Sequence, residues 1–510
     1  MTDAFARVPG LLAEHVLLSA AALLLGLAIA LPLTIWSARN AHVARIALGF
    51  ASLVQTIPAL ALLALFYPVL LSLSALVGGG IPALGFLPSL LALALYALLP
   101  ILRNGVTGLA QLDSAVLQAA DGVGMTAQQK LWLVEAPLVL PVLMAGIRTA
   151  AVWTIGAATL STTVGQPSLG DLIFAGLQTQ NWALVVAGCI AAAGLALAVD
   201  LLLGSAERGI RNRRRWQLWS SLAALLIGVA VAIVPSLPSG GKVVTIGAKG
   251  FSEQFILARL IGHRLEDAGY RVRYREGLGS AVVFGALASG DIDVYVDYSG
   301  TIWTNEMRRQ DTPPRDAMVA AIGDWARREH GVGLLGSLGF ENAYAFAMRR
   351  ADAERRGIAT LDDLARASPS LRFGSDLEFL ERPEWAAIKR AYPLRFAAAQ
   401  AYNPTFMYRA IAGGKADVIS AFSSDGRIAA QDLVVLEDPR GAIPNYDAIL
   451  VVAPDRADDA RFVAALRPLV GAVSVEAMRA ANLQVDRDTD KATPDAAARW
   501  LAKKVNIDAK

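Results

Sequence analysis

The first 236 residues alternate long apolar runs with short polar breaks, whereas the remainder mixes short apolar runs with charged stretches throughout. A membrane-crossing helix needs about 20 apolar residues. Six stretches come near that length, at 15–38, 46–72, 84–102, 137–158, 182–204 and 218–234. No charged residue lies between Arg45 and Arg103, a gap too long for one crossing. Gly78-Gly79-Gly80, Pro82 and Pro88 predict the break that divides it in two. The last stretch is the shortest and also suits a signal-peptide core. Within the spans, Gln55, Thr56, Asn104 and Thr154 are polar groups for a pathway or for the helix bundle itself, and Arg148 is a charge that either faces protein or snorkels to the inner surface.

Basic residues orient these spans. Arg39 and Arg45 lie between the first and second, Arg103 and Lys130 between the third and fourth, and Arg208, Arg211, Arg213, Arg214 and Arg215 before the sixth. The alternate loops, 73–83 and 159–181, contain neither Lys nor Arg. Positive charge marks the cytoplasmic side. Both termini are therefore expected outside, and the charged C-terminal half with them.

After Pro235-Ser236-Leu237-Pro238-Ser239-Gly240-Gly241, a tether by composition, the pattern changes period. A strand is predicted from Lys242, then helix 253–268, strand 271–275, helix 281–289 and strand 291–296. Helices follow at 317–330, 361–366, 384–391 and 405–413, and a strand at 417–420. Such alternation predicts an α/β domain with largely parallel strands. Its length exceeds one comfortable core, so two lobes are expected. Strand-like runs at 341–349 and 446–453 are placed to cross between them, giving one lobe from 243–340 with 454–508 and another from 350–444.

Composition sharpens the division. Residues 1–236 hold 11 Lys/Arg and 8 Asp/Glu, against 36 of each in residues 237–510. One cysteine, Cys189, excludes a disulfide framework and a Cys-based zinc site. His15, His42, His263 and His330 lie far apart in sequence with no His-x-x-x-His pair, which argues against a His-rich metal site; no metal or cofactor is implied. A net charge of +3 argues against a nucleic-acid binder. No Gly-x4-Gly-Lys-Ser/Thr phosphate loop occurs.

Between the third and fourth spans lies Gln118-Ala119-Ala120-Asp121-Gly122-Val123-Gly124, then nine residues, then Val134-Glu135-Ala136-Pro137. Two alanines keep a helix face low, Gly124 permits a sharp turn, and Pro137 starts the next span. This spacing resembles the EAA loop of ABC importer permeases, with Gln118 in place of Glu and Val134 and Ala136 in place of Ile and Leu. Further runs resemble the osmoprotectant (glycine betaine/carnitine/choline) permeases: Gln55-Thr56-Ile57-Pro58, Ala97 to Asn104, and Gly170-Asp171-Leu172-Ile173. The resemblance covers roughly 15–205. It implies an all-α membrane domain with the six-helix type I ABC importer fold, and a cytoplasmic ATPase docked on the coupling segment through Ala119, Ala120, Gly124 and Pro137.

The C-terminal half resembles the two-lobed periplasmic binding proteins of the same importers. The residues that carry this are Gly247 to Gln254, Leu287 to Tyr295, Asp297-Tyr298-Ser299-Gly300-Thr301, Asn342-Ala343-Tyr344 and Ala421 to Arg427. Their ligands set the chemistry: a quaternary ammonium donates no hydrogen bond and is held by aromatic faces, while a carboxylate wants cations, hydroxyls or backbone N–H groups. Tyr298, Tyr344, Tyr402 and Tyr446 are the candidate rings. Lys249, Ser252, Thr301 and Arg382 are the candidate anion partners, Asn342 orients the ligand or the hinge, and Asp425 balances a cation or caps a turn. Tyr295, between Val294 and Val296, reads as core. Arg382 either serves the ligand or pairs with Glu381 or Glu384 on the surface. In the family a Tyr-x-x-Thr pair joins a cage ring to a carboxylate-binding hydroxyl, and Tyr298 and Thr301 match it.

The resemblance thus implies a non-enzymatic importer subunit of the bacterial inner membrane, uniting permease and solute receptor for glycine betaine, choline, carnitine, ergothioneine or a similar solute. Its partners would be a separate ATP-hydrolysing subunit and a second, identical permease. A ligand-gated channel or solute sensor is the alternative, though a channel needs no coupling loop. A membrane-anchored enzyme lacks a nucleophile–His pair.

Overall fold

The computed structural model describes residues 5, 7–77, 81–178, 181–234, 243–309, 311–402, 404–487 and 489–507. The expected break at Gly78–Gly80, the 235–241 tether and Asn403 lie outside them. Two compact units divide the chain, a helical one and an α/β one.

Among the described residues, five helical stretches of the helical unit are long and apolar enough to cross a membrane: Val8–Arg39, Phe86–Ala110, Ala127–Val164, Trp182–Arg211 and Arg215–Ile233. The stretch 46–72, expected as one span, is instead two helices, Ala41–Thr56 and Ala59–Leu76, bent by 104°. Pro58 has no N–H to continue the helix, and its ring drives Ile57 into an extended conformation at φ −77°, ψ 126°. Counted as one broken span, this pair brings the total to six.

Small residues let the helices approach closely, as lipid-embedded packing requires. A Cβ on Gly26 would fall 2.9 Å from that of Ala97, and one on Gly146 would fall 2.6 Å from the Pro100 carbonyl oxygen. Three of the four polar span residues bond within the bundle. Gln55 Nε2 donates to the Tyr96 carbonyl at 3.3 Å, the Thr56 hydroxyl to Leu53 at 2.7 Å, and Asn104 Nδ2 to Pro100 at 2.8 Å.

Arg148 does not snorkel. Its Nε and one terminal nitrogen each reach an oxygen of Asp200 at 2.9 Å, and the other terminal nitrogen reaches Glu207 at 2.9 Å. The guanidinium lies over Gly204, where a Cβ would come within 3.1 Å of it. The planar fork suits two carboxylates one and a half to two helical turns apart, and their charge holds Arg148 inside the protein. Removing one partner of a buried ion pair costs about 3–5 kcal/mol. The cost is smaller here, because the Arg148 and Asp200 side chains remain 33% and 29% exposed. Arg148→Met is therefore expected to lower the melting temperature of the detergent-solubilised protein by several degrees, and an unchanged melting curve would show that the pair is dispensable.

The segment before the Ala136–Ala158 helix is a hairpin. Asp113 caps the helix Ser114–Gly122, accepting from the Ala115 N–H at 2.8 Å, and Gly124 turns the chain at φ +77°. Thr126 and Gln129 form a reciprocal capping box on Ala127–Lys130. Lys130 Nζ closes the hairpin onto Asp121 at 2.7 Å. A π-helical turn, Leu131–Glu135, leads into the long helix, with Pro137 in its first turn. Ala120 is buried and Ala119 exposed. Val123, Trp132 and Leu133 are 74%, 65% and 65% exposed, so the hairpin presents an unpartnered apolar surface.

Among the described residues, ten strands make the α/β unit: β1 (Val243–Lys249), β2 (Arg271–Leu278), β3 (Val294–Tyr298), β4 (Gly333–Glu341), β5 (Tyr344–Arg349), β6 (Arg372–Asp376), β7 (Ala398–Tyr402), β8 (Val418–Phe422), β9 (Leu433–Val435) and β10 (Asp447–Val452). They form two sheets, ordered β2-β1-β3-β10-β4 and β7-β6-β8-β5-β9. Neither is largely parallel, contrary to what the alternation predicts. β1 runs parallel to β2 and β3, and β6 to β7 and β8, but β10 and β5 are antiparallel to their neighbours. The reason is the crossing of the chain between sheets: β5 and β10 are the first strands laid down after each crossing, so no right-handed helical crossover precedes them. The run 341–349, expected as one strand, breaks at Asn342–Ala343 where it leaves the first sheet. Asn342 N–H donates to the Tyr446 carbonyl at 2.9 Å, which ties the two crossings side by side.

Candidate binding cleft

Lys249, Leu278, Tyr298, Asp376 and Phe422 end five of the six parallel strands of the two sheets, β7 being the exception, and all five line one cleft of about 290 Å³. Ligand sites of open α/β sheets collect at such strand ends, where side chains leave the sheet and helix N-termini begin. Nine of the ten candidate residues line it: Lys249, Ser252, Tyr298, Thr301, Asn342, Tyr344, Arg382, Asp425 and Tyr446. Tyr402 does not. It ends β7, the edge strand, one strand beyond Asp376; its ring covers Gly374, and its hydroxyl donates to Gln400 at 3.2 Å.

Aromatic rings form a connected wall. Phe251 stacks near Tyr298 with centroids 6.2 Å apart, and near Phe422 at 6.4 Å. Tyr344 lies 4.9 Å from Phe422 and meets Tyr446 edge-on at 5.8 Å. Gly300 leaves room for Tyr446, since a Cβ there would fall 2.7 Å from its ring. The phenol hydroxyls are engaged behind the wall: Tyr298 donates to Glu253 at 2.6 Å, and Tyr446 donates to Glu384. Burial and those carboxylates push both phenols well above the usual range, so the rings stay neutral.

The candidate anion partners are mostly engaged already. Lys249 Nζ sits 2.5 Å from Asp297, whose other oxygen accepts from the Tyr295 hydroxyl at 2.5 Å. Ser252 donates to Asp486 at 2.5 Å. Arg382 is not on the surface: it is buried against Glu384 at 3.4 Å, with its guanidinium 5.3 Å from the centre of the Tyr344 ring. Glu384 is buried beside it, accepting from Thr304 and Tyr446, whereas Glu381 stays exposed. Asp425 is gripped by Arg427 at 2.6 Å.

Several cleft residues escaped the sequence reading. Glu253 is buried and accepts from Tyr298, from Asn342 Nδ2 at 3.0 Å and from Asn482 Nδ2 at 2.9 Å. Burial pushes its carboxyl up, against those donors. Burial likewise raises Asp486 to about 6. Phe251, Glu253 and Phe422 lie inside the runs that carry the family resemblance. Asn482 belongs to the helix Val475–Asp486, with no local signal to link it to Asn342. Four carboxylates line the cleft (Glu253, Asp376, Asp425 and Asp486) against three bases (Lys249, Arg382 and Arg427), and Asp297 and Glu384 add negative charge just behind them. The cleft is acidic and aromatic.

Residues 242–503 match the family model described as the substrate binding domain of ABC-type glycine betaine transport systems. Residues 23–212 match the binding-protein-dependent transport system inner membrane component. The ergothioneine transport permease/ergothioneine binding protein EgtU of Helicobacter pylori is 30% identical over 421 residues, 79% of this chain and 74% of that protein. The glycine betaine/carnitine/choline transport system permease protein OpuCB of Bacillus subtilis is 38% identical over 197 residues, 39% of this chain and 85% of its own. A solved glycine betaine/carnitine/choline ABC transporter structure is 27% identical, covering 52% of this chain and 98% of that one, with a TM-score of 0.47. An apolar helical unit and an α/β cleft domain in one polypeptide, each matching its own half of the same kind of machine, have one reading: the chain belongs to the osmoprotectant ABC importer family, as a membrane permease fused to its substrate-binding domain.

Proposed function

We propose that this chain captures a quaternary-ammonium or betaine-like solute outside the cytoplasm and conducts it inward, driven by ATP hydrolysis on a separate subunit. The acidic cleft walled by Tyr298, Phe251, Phe422, Tyr344 and Tyr446 carries the reading. Ring faces attract a cation that cannot donate hydrogen bonds, each favourable contact contributing about 0.5–2 kcal/mol. The names of similar proteins agree in kind, spanning ergothioneine, glycine betaine, carnitine and choline. The ATPase is proposed to seat on the hairpin 114–135, whose exposed Val123, Trp132 and Leu133 and turn at Gly124 suit a groove. Two identical permeases would pair around the pathway. The basic loops at Arg39, Arg45, Arg103, Lys130 and 208–215 support a cytoplasmic hairpin and an outer binding domain.

Liposomes carrying the protein with its cytoplasmic subunit test this. ATP hydrolysis is expected to rise when a betaine or choline is supplied on the binding-domain side. Solute-evoked current without such stimulation would instead indicate a channel.

The cleft also predicts a pH dependence. A bound cation favours the ionised form of Asp486, so binding releases protons where that group is partly protonated. Affinity is therefore expected to fall as pH drops through about 6, the value to which burial raises Asp486. Asp486→Asn should flatten that profile in calorimetry; a variant with the same slope as the parent would assign the dependence elsewhere.

A further inference from the structure

Among the described residues, two cleft asparagines each keep a buried side-chain oxygen that finds no partner. Asn342 directs Nδ2 at one Glu253 oxygen, and Asn482 directs Nδ2 at the other and at the Ser424 carbonyl, 2.9 Å away. With both NH₂ groups committed, the two Oδ1 atoms point elsewhere. Each is buried and, among the described residues, without a hydrogen-bond partner, and both residues line the cleft. Rotating either amide would turn its oxygen against the Glu253 carboxylate, so Glu253 fixes the orientation. A buried polar atom left unsatisfied costs about 1–3 kcal/mol, and a site built to hydrogen-bond a ligand group discriminates strongly against an analogue lacking it.

We infer that the solute carries, beside its cationic head, an N–H or O–H donor, and that Asn342 and Asn482, held in place by Glu253, read it. This rests on the cation-binding reading of the same cleft and narrows it. A fully N-methylated carboxylate zwitterion such as glycine betaine has a cation but no donor. A hydroxylated cation or an N–H heterocycle has both. Neither asparagine touches the head group in this scheme; they are specificity determinants for the opposite end.

Calorimetry on the full chain in detergent tests the inference with matched probes. Choline is compared with ethyltrimethylammonium, which lacks only the hydroxyl, and ergothioneine with glycine betaine. At least one donor-bearing probe is expected to bind tenfold or more tightly than its donor-free counterpart. Glu253→Gln supplies an amide that can itself donate to Asn342 or Asn482, so it should shrink that ratio severalfold even if every affinity falls. Equal affinities within both pairs overturn the inference but leave the cation reading standing. An unchanged ratio in Glu253→Gln removes the asparagines from recognition. Failure of all four probes to bind overturns the cation reading itself.

Discussion

Replacing Gly124 with valine should abolish solute-stimulated transport while leaving solute binding unchanged. Gly124 turns the hairpin at φ +77°, where a β-branched residue is strongly disfavoured. A Cβ at this position meets no described atom within 4 Å, so lack of space is not what bars a side chain here. The expected damage is a redirected backbone: the turn opens, Thr126 and Gln129 lose the geometry of their capping box, and the Lys130–Asp121 closure slackens. If the hairpin transmits the ATPase stroke, that is fatal to coupling and harmless to a cleft built from residues 249–486. Gly124→Asn, which tolerates a left-handed conformation better, should retain part of the transport. Transport and binding lost together would mean that the turn supports folding rather than coupling.

Tyr298→Ala should weaken solute binding by about 10- to 100-fold, some 1.4–2.8 kcal/mol. The ring is one face of the aromatic wall, against Phe251 and 5.4 Å beneath the Lys249 ammonium. Its hydroxyl also donates to Glu253, so its removal strips one donor from a buried carboxylate and loosens the Asn342 and Asn482 amides held there. Tyr298→Phe separates the two effects, because it keeps the ring and deletes the hydroxyl. A dissociation constant unaltered by alanine would take Tyr298 out of the site.

The same residues show how far one-dimensional reading reaches. Tyr298 and Thr301 are legible because they close a strand and open a Gly-containing loop, a local arrangement that survives in sequence. Tyr402 ends a strand in the same way and yet lies outside the cleft, since β7 is an edge strand and only strand order reveals that. Arg148 is visible as a misplaced charge, but its partners Asp200 and Glu207 lie more than 50 positions away. Lys249, Ser252 and Arg382 have the right chemistry to greet an anion. Folding instead sets each beside a carboxylate, which turns an expected zwitterion clamp into an acidic pocket.

Hydrophobic period, basic-loop placement and two family motifs are properties of neighbouring residues, so the order of amino acids alone determined a membrane half, an α/β half and the class of machine they form. Tertiary structure decided what depends on residues distant in the chain: the bend at Pro58, the antiparallel strands after each crossing, and Glu253 binding Asn342 and Asn482 from 89 and 229 positions away. A buried charge is satisfied by whatever the fold brings within 3 Å of it, and that distance is not written along the chain.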